Sequence, residues 1–326
     1  MKMQKVKPRI FCSKCLGFSR CRYNANTIPA PYIKKLAGFC NIATVCPEVS
    51  IGLPVPRKPL RLVKEKEKLK LIQAETHINC TYKMKNFSEN FLKNIDKVDG
   101  FILKYKSPSC GIYSAKYYAS MEKGTGVDRG AGLFGRAVKE IYPDLPAETD
   151  TRLTNFNIRE HFLLKLFTVA RFSQVKKSKS AQVFVEFHSY NKLLLLAYHQ
   201  QNMRRMGKIV ANQKEKGIKE AILKYENLLY DSFKTRAARR SHINVIEHAA
   251  GYFSKKIKNS EKKYINKLKK DYKNRKLPLS ALRAVIGSYI IRFDIDYLKK
   301  QTYFDPYPSE LVEVNDSGKG RDLKHI

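Results

Sequence analysis

Three short apolar runs in the first half of the chain each lead into a cysteine motif. The runs cover residues 9–12 before SKCLG, 42–45 before CPE, and 101–103 before KYKSPSCG. Each run predicts a buried strand followed by a loop. If these strands are parallel neighbours, their carboxyl ends share the edge of an α/β sheet where such folds bind ligands. The sequence therefore predicts that cysteines far apart in the chain meet at one edge.

The pattern changes to helical spacing after Pro143 and Pro146. Apolar residues then recur at intervals of three and four along 158–170 and again along 282–297. We predict an α/β N-terminal domain with a mostly parallel sheet over residues 1–150, followed by an all-α helical domain over residues 151–326. The segment 143–150 is the expected boundary, since few core contacts should cross it.

Positive charge dominates both halves of the chain. Residues 1–150 carry 27 Lys+Arg against 13 Asp+Glu, a net +14, and the remainder carries 37 against 16, a net +21, of the total +35. The stretch from Arg204 to Lys276 alone holds 22 basic and 7 acidic residues, a net +15. Such an excess predicts a polyanionic partner, which from charge alone is RNA, DNA or a membrane surface.

Nothing in the sequence resembles a segment for export or for membrane insertion. The basic start lacks the apolar run of a secretory signal, and the longest apolar run, 193–198, is far shorter than the roughly 20 residues of a membrane span. We expect a cytoplasmic protein without a membrane partner. Its seven cysteines are then expected to be thiols, metal ligands or catalytic groups rather than disulfides.

The spacing of the cysteines leaves several kinds of site open. Cys12 and Cys15 form a CxxC pair that suits half of a zinc site or a redox pair, and Cys21 is able to join them. Cys40 and Cys80 are interpreted as small buried hydrophobic residues. An iron-sulfur site with three protein thiolates is a further alternative, in which one iron stays open to a soft sulfur atom of a substrate.

Two polar residues stand close to the cysteines in the sequence. Glu48 lies two residues after Cys46 and is a candidate to activate a water molecule, while Ser109 precedes Cys110 and is a candidate to relay a proton. Taken alone, a glutamate in this position is more often a solvated carboxylate, and a serine more often a turn hydroxyl, than a catalytic residue.

The glycine-rich segment 124–135 contains a formal GxGxxG match at Gly130, Gly132 and Gly135. A loop that cradles phosphate would need a strand before it and an acidic residue at the proper distance after it, and the sequence shows neither. We therefore interpret the segment as a glycine turn that begins a helix.

Four segments of the first half, SKCLGFSRCRYN, VCPEVSIGLPVPR, LKYKSPSCG and GLFGRA, resemble the thiouracil desulfurase family in the same order. The resemblance implies a 4Fe-4S cluster held by three cysteines, here Cys15, Cys46 and Cys110, with one open iron. It also implies that Glu48 is the catalytic carboxylate and Ser109 the catalytic serine. The second half resembles the YbgA-like domain often fused to this family, through FHSYNKLLLLAY, NVIEHAAGYF, LPLSAL and QTYFDPYPSEL.

Fused members of this kind resemble enzymes that convert 4-thiouridine in tRNA to uridine and release sulfide. The resemblance thus implies tRNA as the substrate, and the sequence indicates no obligate protein partner. Helical spacing puts His188 and Lys192 on one face. The predicted RNA-binding residues are His188, Lys192, Arg204, Arg205, Arg239 and Arg240.

Two other functions remain compatible with the same residues. One is a desulfurase of free thiolated bases such as thiouracil, which would turn over a small substrate without RNA. The other is a non-catalytic iron-sulfur or zinc protein that binds nucleic acid. A solvated helix face is likewise an alternative to the RNA-binding surface.

Overall fold

The structure is a computed structural model of the chain, and it describes residues 6–66, 68–122, 124 and 126–313. Two compact units make up these residues. The first comprises residues 6–170 together with 310–313, and the second comprises residues 171–309. The predicted division into domains 1–150 and 151–326 stays a prediction.

The first unit contains nine strands in its described residues. They are β1 (Arg9–Ser13), β2 (Asn41–Val45), β3 (Leu60–Glu65), β4 (Lys68–Gln73), β5 (Ile78–Asn79), β6 (Gly100–Leu103), β7 (Ala115–Tyr118), β8 (Asp128–Gly130) and β9 (Ala147–Thr149). They form one four-stranded and one five-stranded sheet.

The four-stranded sheet has the order β2-β1-β6-β9, and all its paired strands are parallel. Residue Ile10 of the central strand β1 pairs with Ile42 of β2 and with Gly100 of β6. Strand β6 is buried along its whole length, as its continuous apolar sequence predicts. The α/β fold with a mostly parallel sheet is thus confirmed, and the three cysteine motifs follow β1, β2 and β6.

The five-stranded sheet, of order β5-β4-β3-β7-β8, was not predicted from the sequence. Its strand pairs are antiparallel except for β3 with β7. Strands β3 and β4 mix lysine or arginine with apolar residues, and each buries adjacent residues, such as Leu62 with Val63 and Leu71 with Ile72.

Four helices of the first unit are α1 (Pro31–Leu36), α2 (Pro47–Ser50), α3 (Thr81–Asn94) and α4 (Leu133–Ile141). An aromatic cluster fixes two of them to the parallel sheet. The ring of Phe11 on β1 lies 5.4 Å from that of Phe91 on α3 and 6.0 Å from that of Phe134 on α4. These contacts place the start of α4 beside the carboxyl ends of the strands.

The second unit is helical, as predicted. Its described helices are α5 (Phe156–Ser178), in which the boundary between the units falls, α6 (Ala181–Tyr198), α7 (Gln200–Ala211), α8 (Gln213–Lys216), α9 (Ile218–Ser232), α10 (Arg239–Gly251), α11 (Asn259–Lys273), α12 (Leu279–Arg292) and α13 (Asp296–Lys299). None of the helices among the described residues has the length and hydropathy that a membrane crossing requires.

Candidate functional site

Three cysteine-bearing loops meet at the carboxyl edge of the parallel sheet. Cys15 follows β1, Cys46 directly follows β2, and Cys110 lies in the loop after β6. The Lys14 amide donates to the Val45 carbonyl oxygen (2.9 Å), which joins the first two loops. The Lys104 amide donates to the hydroxyl oxygen of Ser13 (3.0 Å), which joins the third loop to the first.

The thiols of Cys15, Cys46 and Cys110 interact electrostatically. Burial raises the pKa of Cys110 well above its usual range, and the charges of Cys15, Cys46 and Glu48 raise it further, while a hydrogen bond with Ser13 lowers it. Burial also raises the pKa of Cys15 to about 12, with smaller contributions from Cys21 and Cys46. The structure therefore brings the three predicted ligands into one partly buried site, although ligation itself stays a prediction.

The donor set fits an iron-sulfur cluster, because such clusters are held by cysteine thiolates. No group of three or more His, Cys, Asp or Glu side chains within the described ranges is arranged to hold one metal ion. Buried thiolates without a cation are costly, as the raised pKa values indicate, and the iron atoms of a cluster would compensate for that cost.

The other cysteines occupy different environments. Cys12 is fully buried within β1, where it pairs with Thr44 and Ile102 of the neighbouring strands. Cys21 lies beside the site, since the Cys46 thiol donates to its carbonyl oxygen (3.7 Å) and the two side chains hydrogen-bond. Burial, followed by the charge of Cys46, raises the pKa of Cys21 to about 11. Cys40 and Cys80 are buried, as interpreted from the sequence.

Glu48 and Ser109 form a direct hydrogen bond at this site. The Ser109 hydroxyl donates to Oε1 of Glu48 (2.9 Å), across 61 residues of sequence. Ser109 is completely buried and its neighbour Cys110 nearly so. A carboxylate that accepts from a serine hydroxyl, next to three thiols, is able to take up a proton from water and pass it on.

Arg57 completes this arrangement, and the sequence had not indicated its role. Its Nε and Nη2 atoms both donate to Oε2 of Glu48, at 2.9 and 2.6 Å, and its side chain is 3% exposed. Nη1 donates to the carbonyl oxygens of Cys21 (3.1 Å) and Pro54 (3.3 Å). The sequence does contain an arginine in GLPVPR nine residues after Glu48. That spacing does not by itself predict a contact, because the two side chains meet only when the intervening segment folds back.

The loop that carries Ser109 and Cys110 is held by backbone contacts. Ser107 Oγ accepts from the amides of Ser109 (3.2 Å) and Cys110 (3.0 Å). At the start of α4, the amides of Gly132, Leu133 and Gly135 donate to the carbonyl oxygens of Gly111, Pro108 and Ser109. The loop thus satisfies backbone donors that a helix start otherwise leaves unpaired.

Two glycines of the GxGxxG match, Gly132 and Gly135, allow α4 to approach the loop of Ser109 and Cys110 closely. A Cβ atom at Gly135 would lie 2.2 Å from the Gly111 carbonyl oxygen, and one at Gly132 would lie 2.5 Å from that of Ser109. Gly132 is the N-cap of α4, so the segment begins a helix as interpreted, but the expectation that no strand precedes the match was wrong, because β8 ends at Gly130. The backbone amides at the start of α4 donate to carbonyl oxygens of the loop 108–111.

A second ion pair lies at the same edge. Lys104 Nζ donates to Asp150 Oδ2 (2.7 Å), and the Tyr105 amide donates to Oδ1 of the same carboxylate (2.7 Å). Lys104 lowers the pKa of Cys15 and Asp150 raises it. These two residues lie outside the sequence predictions and belong to the electrostatic environment of the thiols.

The predicted RNA-binding residues lie on the helices of the second unit. Lys192, Arg204, Arg205 and Arg240 are exposed. Arg239 is exposed as well but is engaged, because Nη1 donates to the Tyr272 carbonyl oxygen (2.8 Å) and the guanidinium lies 4.8 Å from the centre of the Tyr272 ring.

His188 differs from the other five residues. Its Nδ1 atom shares a hydrogen bond with the Tyr225 hydroxyl (3.1 Å), and burial together with the Lys192 charge lowers its pKa to about 4. The ring is therefore neutral at pH 7 and adds no positive charge to a surface. The prediction of an RNA contact for these six residues stays a prediction.

Comparison with known proteins assigns families to two regions. Residues 10–150 match the family described as 2-thiouracil desulfurase, and residues 192–308 match the family described as a protein of unknown function, DUF1722. These regions coincide with the two sets of motifs that suggested a fusion.

Individual relatives agree. The chain is 26% identical over 167 residues to "Uncharacterized protein YbgA" of Escherichia coli (strain K12), which covers 48% of this chain and 93% of that protein. It is 29% identical over 135 residues to "Uncharacterized protein YbbK" of Bacillus subtilis (strain 168), which covers 36% of this chain and 85% of that protein.

Among solved structures, a chain titled "[4Fe-4S]-dependent thiouracil desulfidase TudS" is similar, with 24% identity and a TM-score of 0.38, covering 45% of this chain and 93% of its own. The two family matches confirm the resemblance that the motifs predicted. The chain thus contains one region that matches the 2-thiouracil desulfurase family and a second that matches the DUF1722 family and is similar to YbgA.

Proposed function

We propose that this protein is an iron-sulfur-dependent desulfidase that converts 4-thiouridine in tRNA to uridine with release of sulfide. The observation that carries the proposal is the hydrogen-bonded chain from Arg57 through Glu48 to Ser109, next to three thiols at one sheet edge. The 2-thiouracil desulfurase family of residues 10–150 supports the same chemistry.

Cys15, Cys46 and Cys110 would hold the cluster, each from a different loop. A 4Fe-4S cluster with three protein ligands supplies an open iron that suits the soft sulfur of a thiocarbonyl group. In the overall reaction one water molecule replaces the sulfur: its oxygen becomes the carbonyl oxygen, and its two hydrogens leave with sulfur as hydrogen sulfide. No electron is gained or lost.

We assign to Glu48 the role of general base. Arg57 occupies Oε2 with two hydrogen bonds, so Oε1, which accepts one from Ser109 and has a second lone pair, is the oxygen that would take a proton from the attacking water. Ser109 already donates to Oε1 and is placed to move that proton onward toward the departing sulfur. Burial of Ser109 and Arg57 restricts competing contacts with bulk water.

The positive charge of the second unit supports tRNA as the substrate. A free thiolated base is small and nearly neutral, and it offers no counterpart to the net +15 carried between Arg204 and Lys276. Arg204, Arg205 and Arg240 are exposed in this stretch, Lys192 is exposed on α6, and all four are available to phosphate groups. The thiolated base would leave its stack to reach the site, as base-modifying enzymes commonly require.

The test is reconstitution with iron and sulfide without oxygen, followed by incubation with thiolated tRNA and nucleoside analysis. We expect 4-thiouridine to decrease, uridine to increase by the same amount and sulfide to appear. Cys110→Ala should lose iron and activity together. Glu48→Gln should keep iron but lose most of the activity, because the amide cannot take up a proton.

A desulfurase of free thiolated bases is the second candidate, which the family description of residues 10–150 favours. If kcat/KM for 2-thiouracil exceeded that for thiolated tRNA, free thiolated bases rather than tRNA would be the preferred substrates. An intact cluster with unchanged 4-thiouridine and unchanged thiouracil would instead support a nucleic-acid-binding protein without catalysis.

A further inference from the structure

Four exposed apolar side chains of the first unit lie beside the candidate site in the sequence. Phe18 and Tyr23 are 40% and 43% exposed, and Val49 and Val55 are similarly exposed. Phe18 lies between Cys15 and Cys21, and Tyr23 comes two residues after Cys21. The two valines lie within the segment from Glu48 to Arg57. Single exposed apolar residues are ordinary, whereas contiguous exposed apolar surface marks a binding site.

Backbone contacts fix Tyr23 next to the reacting groups. The Arg57 amide donates to the Tyr23 carbonyl oxygen (2.8 Å), and Arg57 Nη1 donates to the Cys21 carbonyl oxygen (3.1 Å). The same guanidinium binds Glu48. One buried arginine therefore attaches the segment 21–23 to the carboxylate.

The loop that carries the two aromatic residues is also basic. Residues 14–23 contain Lys14, Arg20 and Arg22 and no acidic residue, and Glu48 is the first acidic residue of the chain. The Arg22 guanidinium lies 5.5 Å from the centre of the Tyr23 ring. Exposed rings interleaved with arginines are typical of surfaces that bind single-stranded RNA, in which rings stack on bases and arginines contact phosphates.

We propose that Phe18 and Tyr23, with Arg20 and Arg22, form a stacking surface for the nucleotides next to the base that loses its sulfur. This inference rests on the proposed function and adds to it, since it lets the first unit itself recognise an unstacked RNA segment. A free nucleoside has no neighbouring bases and would not use this surface fully.

The experiment compares kcat/KM of the reconstituted enzyme on thiolated tRNA and on free 4-thiouridine. The double variant Phe18→Ala/Tyr23→Ala should lose at least about tenfold on tRNA, because removing even one stacking ring from a strand-binding surface usually costs about five- to a hundredfold. The loss on the nucleoside should be at least tenfold smaller. Tyr23→Phe, which keeps a ring, should remain closer to the wild type than Tyr23→Ala.

Ile78→Ala and Val127→Ala are matched controls, because both remove exposed apolar surface of the same unit away from the cysteine loops in sequence. Both should match the wild type on the two substrates. Equal losses of the double variant on tRNA and nucleoside, or no loss on tRNA, would overturn the stacking surface.

Binding of the reconstituted protein to a labelled single-stranded RNA and to its duplex separates this inference from the proposed function. A preference for the single strand that the double variant loses would support the stacking surface even if neither thiolated substrate were turned over. A wild type without that preference would contradict it even in an active enzyme.

Discussion

At the scale of single residues, Arg57 is the side chain on which the geometry of the site most depends. It binds Glu48 through two nitrogen atoms, donates to the carbonyl oxygens of Cys21 and Pro54, and is nearly inaccessible to solvent. Lysine retains the charge at this position but presents one ammonium group in place of a planar fork. The orientation of Glu48 should therefore depend on arginine itself.

We predict that Arg57→Lys lowers kcat on thiolated tRNA by about 10- to 100-fold, a part of what a general base usually contributes. KM and iron content should change little, and the pH profile of kcat should shift, which a purely structural role would not cause. Lys58→Ala is the matched control, since it removes only the exposed pair with Glu75. An unchanged kcat and pH profile in Arg57→Lys would contradict the positioning role.

Gly135 lies where neighbouring backbone leaves no space for a side chain. An added Cβ would lie 2.2 Å from the Gly111 and 2.9 Å from the Cys110 carbonyl oxygen, both of which belong to backbone. We predict that Gly135→Ala lowers the free energy of unfolding by about 1–3 kcal/mol, as overpacking usually does. It should also reduce the iron retained after reconstitution, measured per chain.

Gly287→Ala on α12 is the control for this substitution. A Cβ at Gly287 meets no atom within 4 Å, so alanine should leave iron content unchanged. It should stabilise the helix by up to about 1 kcal/mol, because alanine is the better helix former. A similar loss of iron in both variants would refute the role of the close approach at Gly135.

At the scale of elements, two helices of the second unit carry histidines that folding keeps neutral. Burial, followed by nearby positive charges, lowers the pKa of His188 on α6 to about 4 and that of His242 on α10 to about 3. His242 Nδ1 shares a hydrogen bond with the Tyr303 hydroxyl (3.0 Å). In the unfolded chain both would titrate near about pH 6.5.

Between about pH 6.5 and the folded pKa, the unfolded chain binds the proton and the folded chain does not. Acid therefore favours unfolding, and we predict that each histidine lowers the free energy of unfolding by up to about 1.4 kcal/mol per pH unit as the pH falls from about 6.5 toward about 4. Denaturant unfolding at several pH values measures this slope. His242→Gln should make it shallower, whereas His248→Gln, which changes an exposed residue of the same helix, should not.

The accuracy with which the sequence predicts the fold differs from element to element. The strands β1 and β6 were predictable because continuous apolar runs indicate strands buried on both faces. Strand β2 also forms where its apolar run predicts it, but the expectation that it is buried was wrong, because it lies at the edge of the sheet and its residues are exposed or only partly buried. The helices α5 and α12 followed from apolar spacing, although Phe293 lies just beyond the end of α12. The hairpin of β3 and β4 was missed, because lysines and an arginine interrupt its apolar residues, which neither form a continuous run nor alternate strictly.

Within the site, the sequence indicated the residues whose motifs are local, such as Glu48 beside Cys46. It did not indicate Arg57, Ser13 or the Lys104–Asp150 pair, since their roles arise from contacts between separate loops. His188 was assigned to a surface from its spacing to Lys192, but its ring contacts Tyr225, 37 residues further along. Helical spacing specifies a face only approximately, and packing decides the direction of a ring.

At the scale of the whole molecule, the surplus of 35 positive charges should make RNA binding strongly dependent on salt. We predict that reversing Lys192, Arg204, Arg205 and Arg240 to glutamate reduces the slope of log Kd against log salt by about 0.7 to 0.9 for each phosphate group that the protein no longer neutralises. Arg239 is left unchanged, because its substitution would remove the contacts with Tyr272 and could change the stability of the fold as well as RNA binding.

A control variant separates the effect of this particular surface from the effect of lowering the net charge of the protein. Lys263, Lys267 and Lys270 are exposed on α11, and their joint reversal removes a comparable charge from another helix. Titrations of thiolated tRNA at several salt concentrations, measured by fluorescence anisotropy, compare the two sets. A larger change of slope in the α11 variant would contradict the prediction and indicate that α11 carries the RNA-binding surface.

The hydrogen bonds between the start of α4 and the loop of Ser109 and Cys110 also bear on how the protein matures. These bonds hold the loop from within the protein, so a chelator that removes iron should leave the far-ultraviolet circular dichroism spectrum and the midpoint of unfolding nearly unchanged. A collapse of both on chelation would contradict this. Folding and acquisition of iron then become separate events, and a newly made, colourless chain already has its final shape when the cell supplies iron and sulfide.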